Sequence, residues 1–463
     1  MIKINPRTKE AYTLFHKGML ALSRAERAGI RIDLEYVEKQ RSELTKTIEE
    51  LEKKFKNSKF YRHWEHSMGR VNLNSNPQLA HFLYNVKKLK PPYLTESGQG
   101  ATDEEALKQL GIPELEDLIR IRKLKKVRDT YLEAFIKEQE GGYLHPIFNL
   151  HLVRTFRSSS DSPNFQNIPK RDKESMQIIR RALYPRPGHQ LVEVDFSSLE
   201  VRIATCYHKD PTMIQYIRNK EIDMHTDMAC QIFLLDRKLF NGHSSQYNVL
   251  RQAAKNGFVF PEFYGDYYAN CAEYLACTWG KLPKGKWTVG MGIPLDTQSF
   301  TLSDHLISKG INSFDKFVEH VKAVEEHFWK DRFPDYAAWK ERWWKTYQKY
   351  GYIDMLTGFR CSGLMGKNDC INYPIQGSAF HCLLWSFVEI DRISRESKWD
   401  SRLIGQIHDS MLLDVHPDEL EMVRKTLHQV MCRDLRKAWP WIIVPMEIDI
   451  QVSPVDGSWV MKE

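Results

Sequence analysis

The chain has 463 residues, 42% of them hydrophobic, which suits two or three folded domains and argues against a disordered or fibrous chain. A net charge of +7 is compatible with a nucleic-acid partner without requiring one. Eight cysteines without a Cys-x-x-Cys pair read as reduced thiols, the first residues lack the apolar core of a secretory signal, and no run approaches the ~20 apolar residues of a membrane span.

Residues 1–33 open with a helical pattern (Leu14, Met19, Leu22, Ala25) and then AGIRID, a turn into a short strand, with Asp33 placed to cap a second helix. That second helix is long, and Val37, Leu44, Ile48, Leu51 and Phe55 form its apolar stripe. Residues 57–100 are mixed, with turn signals at 74–77 and 90–93. Thr102-Asp-Glu-Glu105 reads as a capping box, Gly111 as the stop of that helix and Pro113 as the start of another. The helix from Pro113 buries Leu118, Ile121, Leu124, Tyr131 and Phe135. It crowds Arg120, Arg122, Lys123, Lys125, Lys126 and Arg128 on the remainder, either a solvated face or one that tracks phosphates. Residues 34–140 are thus predicted as a helical module between sheet-forming segments.

Residues 151–181 are rich in Ser, Asn, Gln and Arg, a connection whose side chains also suit base edges and phosphates. In QLVEVDFSSLEVR, 190–202, a β-branched alternation gives way after Ser198 to helical spacing, so Asp195 lies near the end of a strand at a sheet surface. Helices are predicted up to about 350. Their aromatic and basic stretch YAAWKERWWKTYQKYGY, 336–352, reads as core, and the Gly- and Pro-rich 281–292 as a mobile loop insertion. Near the C-terminus, Leu403–Ile407 and Met411–Val415 flank His408-Asp409-Ser410, a hairpin that presents Asp409, and 444–452 alternates as a half-buried strand.

Two carboxylates at strand tips, Asp195 and Asp409, meeting across a sheet suit a pair of Mg²⁺ ions, which accept a small protein ligand set because they keep waters and take substrate phosphates. A second group is RQAAKNGFVFPEFYG, 251–265. Arg251 and Lys255 share one helical face, and Phe260 and Tyr264 share another pair of turns, an order that suits a triphosphate followed by a sugar and base. Standing alone, it is better read as a surface helix with a buried aromatic end.

With these stretches in view the chain resembles family A DNA polymerases, the group typified by bacterial DNA polymerase I. DFSSLEVR is similar to D-Y-S-Q-I-E-L-R, RQAAKNGFVFPEFYG to R-x-x-x-K-x-x-x-[FY]-G-x-x-Y-G, and QIHDS to a motif ending in H-D-E. TFRSSSDSPNFQNIP, NYPIQGSA at 372–379 and AGIRID also have counterparts, in the family's order. The resemblance implies an α+β, right-hand fold: an antiparallel-sheet palm (1–33, 141–205 and 370–463), a helical thumb (34–140) and helical fingers (206–369).

It also implies template-directed DNA synthesis on primer–template DNA from dNTPs with two Mg²⁺, Mn²⁺ as substitute, held by Asp195, Asp409 and the main chain of Phe196. Glu200 would exclude a 2′-hydroxyl; Arg251, Lys255 and His225 would take the triphosphate, Phe260 the sugar and Tyr264 the templating base. Arg157, Gln166, Asn167, Asn372, Gln376 and His408 would grip the primer–template, largely in the minor groove, where the acceptors hardly differ between base pairs. The sequence departs from the pattern in three places. Ser410 replaces a glutamate, Pro261 replaces a glycine, and Lys255 to Phe260 is one residue longer. A π-bulge would absorb the extra residue, with Pro261 supplying no N–H that needs a partner there; Val259 is the competing sugar contact.

No exonuclease motif is legible, which leaves room for a separate exonuclease or processivity subunit, in the cytoplasm of a bacterium or virus-infected cell or in an organelle. The alternatives are a phage-type single-subunit RNA polymerase and a catalytically silent primer–template binding subunit.

Overall fold

The structure, a computed structural model, describes residues 3–95, 97–169, 172–240, 245–295, 300–407 and 409–462. Its centre is a four-stranded antiparallel sheet. Strand β1 (Gln190–Phe196) lies between β3 (Ser410–Val415) and β4 (Ile448–Val452), and β2 (Arg402–Ile407) flanks β3. The two-residue period sorts the side chains to two faces. Val192, Val194 and Phe196 enter the main core with Met411, Leu413 and Val415. Leu191 and Leu412 face the other way and join a second core. Asp195 belongs to that second face, opposite Ser410 on β3 and Asp449 on β4. Two residues before it, Glu193 is buried yet stays ionised: burial opposes its charge, but Lys462 and Arg180 outweigh that cost, helped by the Trp459 indole at 2.8 Å.

Residues 444–447, predicted as strand, stay outside the ladder. Their carbonyls are taken elsewhere, Pro445 O by Arg202 at 2.5 Å and Glu447 O by the Ser197 amide at 2.9 Å.

The helices that position the cleft are, in chain order, α1 (Lys9–Ala28), α2 (Leu34–Lys56), α3 (Pro113–Lys125), α4 (Leu199–His208), α5 (Met224–Phe233), α6 (Ser245–Ala254), α7 (Phe260–Tyr264), α8 (Pro334–Tyr350) and α9 (Lys367–Glu396). Helices α1, α4 and α9 back the first face of the sheet. Arg24 of α1 grips Asp391 of α9 through both carboxylate oxygens, at 2.8 and 2.6 Å. Met19 was expected in the α1 stripe but is 57% exposed. Gly18 takes that place instead, because a Cβ there would lie 2.8 Å from Leu384 of α9.

Helix α9 runs unbroken through the predicted 369/370 boundary and contains Pro374. Proline has no N–H for the carbonyl of Cys370, one turn earlier. The indole of Trp343 on α8 donates to that carbonyl at 2.9 Å instead. In the aromatic stretch Tyr336 and Trp339 are core, as expected, and Trp343 completes a neighbour's hydrogen bonding.

Helices α2 and α3 form an arm on the second face. Helix α3 continues through a π-helical stretch, Lys126–Leu132, into Glu133–Glu138. Val37, Leu44, Leu124 and Phe135 root the arm on Leu191 and Ile404, and Phe55, Trp64, Phe82 and Leu118 make a separate core at its far end. The basic side chains on and just beyond α3 are largely paired, within the arm and with residues 172–174 beside it. Arg120 pairs with Glu174 at 3.3 Å, Lys125 with Glu52 at 2.5 Å, Arg128 with Asp129 at 2.6 Å, and Lys123 with Asp172. Arg122 donates to the Leu73 carbonyl at 2.6 Å. The expected capping box at 102–105 is an Asp103 cap, whose carboxylate accepts the Ala106 amide. Among the described residues, no helix is long and apolar enough to cross a membrane.

Candidate active site

A cleft of about 550 Å³ lies where the end of β1, the β2–β3 turn and α7 converge. Asp195, Glu200, His225, Phe260, Tyr264, Asn372, Gln376 and Asp409 all line it. Two local conformations place the acids. Ser198 is left-handed (φ 53°), which turns β1 abruptly into α4 and puts Glu200 in the first turn. Asp409 sits in the turn between β2 and β3, so the register brings it next to the residue paired with Asp195. His408 lies outside the described residues. Ser410, where the family pattern has glutamate, is buried and donates to the Ile407 carbonyl at 2.9 Å.

The donor set is spare. Among the described residues no three or more His, Cys, Asp or Glu side chains are grouped to hold a metal ion. Two carboxylates and a main-chain oxygen fit Mg²⁺, which draws its other ligands from water and phosphate, and would not fit a closed zinc site.

Glu200 is held from two sides. One oxygen accepts from Arg157 and the other from the Tyr264 hydroxyl, and Arg157 Nη2 also stands 4.0 Å from Asp409 Oδ1. Tyr264 is 42% exposed overall, while its hydroxyl is partly buried against Glu200. That burial and the adjacent Glu200 carboxylate push the phenol above the usual tyrosine range.

Arg251 and His225, both expected on the triphosphate, gather on a residue that sequence reasoning missed. Asp223, which caps α5, accepts Arg251 Nε at 2.5 Å and Nη2 at 3.1 Å. It also accepts the Thr226 hydroxyl at 2.6 Å, and His225 Nδ1 lies 3.4 Å away. Burial works against its charge, but hydrogen bonds from His225, Arg251 and Thr226 prevail and hold the carboxyl well below its ordinary range.

Helix α6 passes through a π-helical stretch, Lys255–Val259, into α7. The Phe260 amide donates to the Lys255 carbonyl, five residues back, and Pro261 follows without an N–H. The extra residue is absorbed as expected. Val259 is buried, while Phe260 lines the cleft beneath the Lys255 ammonium (5.3 Å) and edge-on to the His225 ring (6.0 Å). The helix stops at Gly265 (φ 93°), where a Cβ would run into the Asn368 side-chain oxygen. Asn368 donates to the Gly265 carbonyl at 3.3 Å and Asn372 to that of Tyr264 at 3.1 Å.

The remaining expected contacts divide. Arg157, Asn372 and Gln376 open on the cleft. Gly377 lets the Arg157 segment approach, since a Cβ on it would lie 2.6 Å from the Thr155 carbonyl. Gln166 and Asn167 sit at the root of the arm, outside the cleft lining. Gln166 donates to Gln406, to its side chain at 2.7 Å and its carbonyl at 3.0 Å, and the Asn167 carbonyl accepts Tyr131 at 2.5 Å. Gln406 was not singled out in the sequence, because a glutamine within an apolar strand gives no signal of its own.

The sequence pattern of DNA polymerase family A matches residues 34–281 and 308–458. The chain is 26% identical over 452 residues to the DNA polymerase I of Chloroflexus aurantiacus, covering 94% of this chain and 41% of that protein. It is 28% identical over 448 residues to the thermostable DNA polymerase I of Thermus filiformis, covering 93% and 46%. The chain thus spans less than half the length of these relatives. The fold is similar to the POL domain of Pol1 from M. smegmatis, solved in complex with DNA primer–template and dNTP, with a TM-score of 0.74 and 23% identity over 96% of this chain and 70% of that one.

Proposed function

The chain belongs to DNA polymerase family A, and on that footing we propose that it extends a primer on a DNA template, adding dNTPs to the 3′ end. The observation that carries the reading is the convergence of Asp195 and Asp409 in one cleft with the Arg157–Glu200–Tyr264 bridge and the phosphate-side group of Arg251, His225 and Asp223. In this reading the sheet and its backing helices (1–33, 141–205, 370–463) are the palm, 34–140 the thumb and 206–369 the fingers.

Asp195, Asp409 and the Phe196 carbonyl would hold two Mg²⁺, with Mn²⁺ as substitute; when bound, these ions favour deprotonation of the primer 3′-hydroxyl and neutralise charge on the leaving pyrophosphate. The rest falls to this chain's side chains. Arg251, Lys255 and His225 orient the triphosphate for in-line attack at the α-phosphorus. Phe260 packs on the sugar, and Glu200, fixed by Arg157 and Tyr264, fills the space a 2′-hydroxyl would need. Asn372 and Gln376 hold the terminal base pair. The partners are primer–template DNA and dNTPs, in a cytoplasmic setting.

Primer extension on a labelled oligonucleotide tests the reading. Asp195→Asn and Asp409→Asn are each expected to lower extension by roughly 10³-fold or more with DNA binding retained. Near-parental extension by either variant sinks it.

A further inference from the structure

The family pattern stops at residue 281 and resumes at 308, so 282–307 is a segment it does not describe. The segment is nonetheless anchored. Leu282 and Trp287 are 1% and 2% exposed. The Trp287 indole donates to the Pro283 carbonyl at 2.8 Å and its amide to Asn312 at 2.9 Å, while the Gly285 carbonyl accepts Phe314 at 2.8 Å. From that base Lys284 pairs with Glu273 at 2.5 Å and reaches the arm, donating to the Pro92 carbonyl at 3.2 Å, 192 positions earlier in sequence.

The receiving side is equally fixed. Tyr93 donates to Asp103 at 2.5 Å, and its carbonyl accepts the Ala101 amide at 3.0 Å. Pro92 comes shortly after Leu89, which packs on the far-end core of the arm. Helix α2 has 23 residues, so that end stands about 34 Å from the root at ~1.5 Å per residue. The arm, rooted on the sheet at one end, therefore touches the insertion at its other end.

Both lips are basic. The arm side carries Lys88 and Lys90, the insertion Lys284 and Lys286, with Lys281 just before it. Lysines on both sides of the contact favour a polyanion near it.

We propose that the start of this insertion, residues 282–287, clasps the thumb over the product duplex, so that double-stranded nucleic acid is retained by encirclement as well as by sequence-independent phosphate contacts. The proposal rests on the polymerase reading above and adds to it a topological hold on DNA.

The test is a Pro92→Cys, Lys284→Cys variant bridged by a short bis-maleimide, with each single-cysteine variant as background for the native thiols. The DNA is a primed single-stranded circle and the same sequence linearised. Bridging after loading is expected to leave enzyme on the circle through a high-salt wash and to lengthen its residence by at least about tenfold over the linear form. Bridging before loading is expected to exclude it from the circle. Equal release from circle and linear DNA, or normal loading of pre-bridged enzyme on the circle, overturns the proposal.

A second variant, Lys281→Glu with Lys284→Glu and Lys286→Glu, reads the same hold without a bridge. Its products per binding event, under a DNA trap, are expected to shorten several-fold with single-nucleotide insertion unchanged; products of parental length count against the clasp. Unbridged enzyme that extends a short linear primer separates failure of the clasp from failure of the polymerase reading.

Discussion

The carboxylate of Asp223 takes both Nε and Nη2 of Arg251, at 2.5 and 3.1 Å, and so fixes a guanidinium on α6 to the cap of α5, where His225 begins. In the proposed function Arg251 would meet a phosphate with its guanidinium held from the other side. Asp223 is a positioning residue in this arrangement. Asp223→Asn keeps the shape and removes the charge, and charge-assisted hydrogen bonds are worth about 1.5–3 kcal/mol each, or roughly 10–100-fold. The KM for dNTP is expected to rise by roughly that factor, with kcat falling less. A variant whose KM matches the parent's shows that Asp223 does not prepare the site.

Glu200 has one oxygen on Arg157 and the other on Tyr264, so its position depends on both. Glu200→Ala is expected to admit ribonucleotides, lowering the dNTP-to-rNTP preference by at least about tenfold, since discrimination comes from a clash that the smaller side chain relieves. Tyr264→Phe removes one tether and is expected to loosen selection less. Incorporation of a single dNTP or rNTP under matched conditions measures both. Unchanged discrimination in Glu200→Ala removes it as the gate.

Stability should vary with pH through a buried acid beside the active helix. Glu262 is 1% exposed, accepts Trp329 Nε1 at 2.8 Å, and receives the Cys271 thiol at 3.5 Å. Burial, with Glu325 nearby, pushes its carboxyl up to about 8, while burial lowers Lys340, whose ammonium lies 3.2 Å over the Trp329 ring, to about 8. A raised acid stabilises the fold fully below its unfolded value near 4.5, and that contribution is lost as pH rises to about 8. Lys340 acts in the next window: its contribution is lost as pH falls from about 10.5 through about 8. Glu262→Gln is expected to flatten the decline between 4.5 and 8 seen in denaturant midpoints. An undiminished decline in that variant would point to other groups.

Trp343 supplies the hydrogen bond that Pro374 denies to Cys370. Trp343→Phe keeps an aromatic ring, though a smaller one, and leaves the carbonyl without its donor, a loss of about 1–3 kcal/mol for a buried acceptor. Urea denaturation gives the change directly, and a midpoint equal to the parent's would show that the contact carries no stability.

How far the sequence foretold this structure depends on whether a residue's task is local. Asp195 was legible because strand alternation ends beside it, and Asp409 because a hairpin must expose its turn. The π-helical turn was legible because an extra residue and Pro261 occurred together. Asp223 was not, since an aspartate before a helix reads as an ordinary cap whether or not an arginine 28 places later comes back to it. Met19 misled because the α1 stripe passes through Gly18, whose fitness shows only against Leu384. The cations of α3 looked available because their carboxylates, Glu52, Asp172 and Glu174, lie on other elements.

The wider turn at Lys255–Val259 changes how knowledge passes between this chain and its kin. A substitution copied from a relative by counting from Arg251 lands one place early beyond Lys255, on buried Val259 when Phe260 was meant. Deleting one residue within the turn would restore the common count and an ordinary α-helical turn, leaving Phe260 and Tyr264 on nearly the face they now occupy. Engineering at this helix has to follow the face of the cylinder and not the ordinal number.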